Sequence, residues 1–285
     1  MSHFSVAVFT DRTKTVDDLL APFDENISVP RYIEETKEQA IQRIRKEISD
    51  YATTGLYAQW KADPEKYESE FGCNIDHMNY IKNEFPKKLN WTDEECYQDA
   101  IEFYDEDELD ENGNLTSIYN PNSKWDWYSI GGRFQGMLKA KSGTHGEGSV
   151  FSPNLKKAGE YDSAKVSDID FSPDKEQYAR SLRWWEVVIE DSPLRNDEDK
   201  SDFFNLYKKE YLIERYKDKE AYASAQSLFS TFAVITPDGE WHEKGEMGWF
   251  GCVSNEEDEW ALKYKECFID TANPDWTLTI VDCHI

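Results

Sequence analysis

The chain closes on Val281-Asp282-Cys283-His284-Ile285, three residues in a row whose side chains carry acid–base and nucleophilic chemistry. A thiol beside an imidazole is the pairing of a cysteine nucleophile, and a carboxylate beside an imidazole orients it as a general base. The β-branched residues of Thr277 to Ile285 make this segment a strand, and successive strand residues point to opposite faces. Cys283 therefore points away from His284, and the two cannot pair with each other. Asp282 and His284 share a face but lack a nucleophile of their own. His3, His242 or Cys252 would have to be delivered by the fold. A small-molecule or metal-dependent enzyme using Asp282, His284 and Cys283 is accordingly kept as an alternative reading.

Other chemistry is thinner. No Cys-x-x-Cys or His-x-x-x-His spacing supports a zinc site. Asp110, Asn112 and Asn114 have the spacing of a calcium loop, but Leu115 stands where that loop needs glycine and no glutamate closes it. Gly143-Thr-His-Gly-Glu-Gly148 lacks the strand–helix context of a dinucleotide site. Gly245 to Ser254 reads as a tight connection from hairpin to helix. No catalytic residue, metal or cofactor is expected.

The stretch from Asn120 to Gly136, NPNSKWDWYSIGGRFQG, reads as a hairpin turning at Gly131-Gly132. Such a hairpin sets Trp127 opposite Gly136 and Trp125 opposite Leu138, with Trp125, Trp127, Phe134 and Leu138 on one face. The other face carries Asp126, Tyr128, Ile130, Arg133 and Met137, with Asp126 placed to pair with Arg133. One face packs as core while Tyr128 and Arg133 form a recognition surface, since Tyr, Trp and Arg dominate interface hot spots.

A second surface lies in Thr92 to Glu111, TDEECYQDAIEFYDEDELDE, which contains no Lys or Arg. On a helix from Thr92 to Tyr104, Glu95, Asp99, Glu102 and Glu106 lie on an outward face, opposite Tyr97, Ile101 and Tyr104. Such a run is a solvated face or a decoy that fills a cationic groove meant for nucleic acid. Tyr128, Arg133, Glu95, Asp99, Glu102 and Glu106 are thus the candidate partner-binding residues.

The elements that position these groups are marked by their ends. Phe4 to Phe9 is apolar on both alternations, so the opening strand is buried on both faces. With the closing strand it predicts one sheet in which the termini meet. Thr36 with Gln39 and Thr92 with Glu95 are capping boxes. Ser172-Pro173 caps a helix bearing Tyr178, Leu182, Trp185 and Ile189. Ser254 with Glu257 opens another bearing Trp260, Tyr264, Cys267 and Phe268, and a further helix covers Asp202 to Lys217. Pro237-Asp238-Gly239 turns a hairpin, Asn112-Gly113 makes a tight turn, and Lys141 to Gly159 reads as a long loop. The fold class is α+β, a mixed sheet with helical insertions. Its core comprises 1–35, 115–155 and 226–285, with an acidic helical segment at 36–114 and a second helical segment at 160–225.

Composition restricts the partners. The 285 residues carry a formal net charge of −26, which repels phosphate backbones and anionic lipid and favours basic protein partners. Direct nucleic-acid or membrane binding is not expected, and no apolar run approaches the ~20 residues that span a bilayer. The chain is 39% hydrophobic and 14% aromatic, enough to bury a core despite a mean hydropathy of −0.80. Five cysteines without a close-spaced framework, and no signal peptide, point to reduced thiols in a cytosol.

The opening Met1-Ser-His-Phe4 strand, NPNSKWDWYSIGGRF, GEMGWFGCVS and TLTIVDCHI, in that order, resemble a family of small phage- and prophage-encoded proteins, most of them uncharacterised. The likeness extends to phage inhibitors of bacterial anti-phage nucleases, the anti-Gabija inhibitors in particular. It covers both ends and the middle of the chain, and no contact residue carries over from it. It implies a non-catalytic, homo-oligomeric inhibitor in the cytoplasm of an infected bacterium. Such a protein binds a host nuclease–helicase complex and keeps DNA from its active sites. A virion or prophage accessory interaction protein is a further alternative.

Overall fold

The computed structural model describes residues 2–148, 159–247, 253–257 and 259–285. Part of the expected 141–159 loop and half of the 245–254 connection, Cys252 included, fall outside those residues. The terminal strands do meet. β1 (His3–Thr10) pairs antiparallel along its whole length with β6 (Thr277–His284), from His3 opposite His284 to Thr10 opposite Thr277. Around them lie β2 (Trp127–Ile130), β3 (Ser163–Lys165), β4 (Ala233–Ile235) and β5 (Trp241–Glu243), in the order β2–β6–β1–β4–β5, with β3 pairing the other end of β6. β1 and β4 run parallel and the remaining pairs antiparallel, so the sheet is mixed and the fold is α+β. The Pro237-Asp238-Gly239 hairpin is present as β4–β5, with Gly239 at φ 99°.

Both faces of the sheet are buried, because both alternations of β1 are apolar. Ala7, Phe9, Val234, Leu278 and Ile280 pack against Trp260, Tyr264 and Phe268. Phe4, Val6, Val8, Val281 and Cys283 pack against Leu19, Leu20 and Trp125. Tyr264 is fully buried and shares a 2.9 Å hydrogen bond with the Thr231 hydroxyl.

The chain divides into two compact units, Met1–Asn26 with Pro121–Ile285, and Ile27–Asn120. The second unit includes Tyr32–Glu35 and Leu115–Ser117, which pair with each other. That pairing moves 27–35 and 115–120 out of the core to which the sequence assigned them, and the 160–225 helices belong with the sheet.

Both expected capping boxes form, at Thr36 for the helix Lys37–Thr53 and at Thr92 for Asp93–Ala100. The latter stops at Ala100 instead of Tyr104. Glu102 and Asp105 follow, and carboxylates disfavour the negative end of a helix dipole. The helix expected from Ser172 begins at Lys175, because Asp174 caps it by accepting from the Glu176 and Gln177 N–H groups. Asp202 to Lys217 is not one helix. A 3₁₀ turn at Lys200–Phe203 and a helix at Lys209–Tyr216 flank exposed Phe204, Leu206 and Tyr207. Ser254 lies in the short strand Val253–Ser254, and the last helix begins at Trp260 after Glu259 at φ 62°. Its rings Trp260, Tyr264 and Phe268 still reach the core, while Cys267 is exposed.

Outside the sheet, Arg183 donates to Glu198 at 2.7 and 2.8 Å. These bonds, with the Arg195 N–H, hold the Glu198 carboxyl at about 2. A folded-state value below the unfolded one contributes stability above about pH 4.5 and loses it as pH falls toward 2. Between pH 5 and pH 3 the melting temperature of Glu198→Gln should therefore fall less than that of the wild type. An identical fall in both would refute this.

Candidate functional site

No hairpin forms at Gly131-Gly132. β2 runs instead along β6, with Trp127 opposite His284, Tyr128 opposite Cys283 and Ser129 opposite Asp282. Leu138–Lys139 pairs with Glu160–Tyr161. What diverts the chain is a pair of carboxylates, Asp282 and Asp162, each 1% exposed. The Arg133 N–H donates to Asp282 Oδ2 at 2.8 Å and the Gly136 N–H to Asp162 Oδ1 at 2.6 Å. Charge-assisted bonds of this kind are about twice as strong as neutral ones, and they curl residues 131–136 around the two acids. Gly131 and Gly132 take φ 71° and 49° in this curl, the left-handed region where glycine is favoured.

The same carboxylate brings the chain ends together. Period two sets His3 and Ser5 on the face of Ala7 and Phe9, and Asp282 and His284 on the face of Ile280. His3 Nδ1 lies 2.8 Å from Asp282 Oδ1, and His284 Nδ1 lies 2.7 Å from Asp126 Oδ1. The imidazoles touch edge to face at 4.9 Å, and Trp127 stacks on His284 at 5.0 Å. A carboxylate acceptor fixes Nδ1 as the protonated nitrogen, leaving Nε2 with the free lone pair. Each ring is thus oriented as a general base is oriented.

Three expectations change here. Asp126 pairs with His284, not with Arg133. Trp127 is 44% exposed, whereas Trp125 is buried in the core beneath the sheet. Tyr128 and Arg133 do not share a face. Tyr128 is half-buried edge-on to Trp125 and donates its O–H to Asp17, while Arg133 is exposed on the 3₁₀ turn Gly132–Phe134. Burial, then the Asp17 carboxylate, pushes the Tyr128 phenol up.

Cys283 lies on the opposite face from both imidazoles, packed among Phe4, Val6 and Val281. Burial and the neighbouring Asp282 push its thiol up, so it is held as the unreactive thiol. In the native protein Cys283 should resist a thiol reagent that labels exposed Cys73 and Cys267. Mass mapping of labelled Cys283 before unfolding would contradict this. Among the described residues, no group of three or more His, Cys, Asp or Glu is arranged to hold a metal ion.

The acid-only stretch is ordered in the second unit and partly neutralised by cations from elsewhere in that unit. Asp93 meets Arg45, Glu94 meets Lys37 at 3.5 Å and Asp99 meets Lys88 at 3.0 Å. Glu95 is spent on its capping box, its carboxyl held low by the Thr92 N–H and hydroxyl. Glu102 and Glu106 are exposed beyond the helix, Glu106 opening the 3₁₀ turn Glu106–Glu108. The stretch also exposes Phe103 at 90% and Tyr104 at 42%, two rings not among the sequence candidates. Their sequence signal was an apolar residue in an otherwise acidic run. No short-range signal marked Asp126 or Asp162.

Neither known protein families, nor curated proteins, nor solved structures include a match to this chain. Among the described residues, no helix is long and apolar enough to cross a membrane.

Proposed function

We propose that the protein is a non-catalytic, phage-encoded inhibitor that binds a basic, DNA-handling surface of a host defence nuclease complex of the Gabija type. The observation that carries this reading is the exposure of Phe103 and Tyr104 within the stretch 92–111, which has no Lys or Arg. A solvated acidic face has no use for an uncovered phenyl ring, whereas a protein interface needs an apolar anchor inside a polar rim. The net charge of −26 favours rapid encounter with a cationic partner. Co-purification of the tagged chain with the host nuclease–helicase complex, with DNA binding by that complex measured before and after, tests it. The expected result is capture and loss of DNA binding, and DNA binding that persists in the captured complex refutes inhibition by occlusion.

A second reading rests on the two adjoining imidazole–carboxylate pairs, which have the form of acid–base groups. It uses His3, Asp282, His284 and Asp126 and leaves out Cys283. Folded His3→Asn and His284→Asn variants that inhibit as well as the wild type would dismiss it.

A further inference from the structure

Within the second unit lies an open groove of about 670 Å³. Its floor is apolar, made by Ile44, Ala100 and Leu115, all buried. Its lining also carries the carboxylates of Glu34, Glu35, Glu47 and Asp99, the guanidinium of Arg43 and the rings of Phe103 and Tyr104. Arg43 is already committed, donating to both oxygens of Glu35 at 3.0 to 3.3 Å and lying 3.6 Å from Glu47. Asp99 is held by Lys88. Glu34 makes no ion pair among the described residues, and Glu47 has only the long contact to a guanidinium it shares with Glu35.

We infer that this groove receives an arginine or lysine side chain from a basic segment of the protein's partner. The inference rests on the binding reading given above and names the place and chemistry of the contact. Three features fit that one occupant. Long cationic side chains lay an apolar stem along an apolar floor while the charged head stays at a polar rim. With Asp99 answered by Lys88, the rim still sets the carboxylates of Glu34, Glu35 and Glu47 against the one guanidinium of Arg43, so the groove is short of positive charge. Phe103 and Tyr104 are exposed rings in the groove lining, and a ring face attracts a cation more strongly as water is excluded. A neutral apolar ligand would leave Glu34 and Glu47 unanswered, and an anion would be repelled. Glu34 and Glu47 thus set the preference for a cation and Phe103 supplies the anchor. None of the three is tied to the sheet-end imidazoles.

The test uses the full chain, folded variants with unchanged melting temperature, and two probes. One probe is the purified nuclease–helicase complex. The other is a synthetic arginine-rich amphipathic 15-residue peptide, with a counterpart in which glutamate replaces each arginine. Phe103→Ala is expected to weaken both the complex and the arginine peptide by tenfold or more. The double variant Glu34→Gln with Glu47→Gln is expected to weaken both severalfold and to flatten their salt dependence, and the glutamate peptide is expected not to bind. If the complex is captured but Phe103→Ala and the double variant bind it like the wild type, the groove assignment is overturned while the binding reading stands. If the complex is never captured, that reading fails, and the peptide decides the groove alone: equal binding by wild type and Phe103→Ala overturns it. A wild-type dimer in sedimentation that Phe103→Ala converts to monomer would make the groove a self-contact and overturn the assignment too.

Discussion

Replacing Asp282 with alanine should lower the free energy of unfolding by about 2–4 kcal/mol, since two hydrogen bonds to a charged acceptor are lost, each worth about 1.5–3 kcal/mol before relaxation. The carboxylate is 1% exposed and serves two donors at once, the His3 imidazole and the Arg133 N–H, each at 2.8 Å. Without it an imidazole and a backbone N–H are left unpaired, and a buried unpaired group carries its own desolvation cost of about 1–3 kcal/mol. Asp282→Asn should lose less, because one amide oxygen can still accept from Arg133. Urea unfolding curves of the three proteins give the comparison. A loss below about 1 kcal/mol for the alanine variant would mean that the pairing of the chain ends does not depend on this side chain.

The second large effect belongs to Gly132. A Cβ there would stand 2.4 Å from Asp282 Oδ2, 2.5 Å from Asp282 Cβ and 2.6 Å from Ser129 Oγ, on a backbone at φ 49°. Gly132→Ala therefore combines a left-handed backbone cost of about 1–2 kcal/mol with an overpacking cost of about 1–3 kcal/mol. Gly143 separates the two, since it also has positive φ, at 84°, but a Cβ there meets nothing within 4 Å. Gly143→Ala should show the backbone cost alone and Gly132→Ala clearly more. Combining Gly132→Ala with Asp282→Ala should cost less than the sum of the single changes, because the second substitution removes the nearest of the three atoms struck by the first, Asp282 Oδ2, while the position-282 Cβ and Ser129 Oγ remain. Strict additivity would rule out a contribution of the Asp282 carboxylate to the clash. The Gly131-Gly132 corner is explained by this close approach to a buried acid, with no hairpin required.

Both predictions concern one place, and they separate what holds it from what it does. The sheet-end acids are occupied in holding the loop and the chain ends. The imidazoles beside them remain oriented, which sustains the second, catalytic reading as one to be tested. The exposed rings of the acid-only stretch lie in the second unit, so interface variants such as Phe103→Ala and stability variants such as Asp282→Ala should report on separate properties.

By itself, the sequence determined the features whose cause lies within a few residues. The capping boxes at Thr36 and Thr92 form because hydroxyl, carboxyl or amide, and free N–H groups sit three positions apart. β1 is central because both its alternations are apolar, and Pro237-Asp-Gly turns a hairpin because its residues suit that turn. The tertiary structure alone decided the partner of Trp127–Ile130. The Asp282 carboxylate that captures the Arg133 N–H is 149 positions from that residue and 279 positions from His3, which it also meets. No local pattern registers an acceptor that arrives from the far end of the chain, yet in a buried site such an acceptor outweighs the turn preference of two glycines.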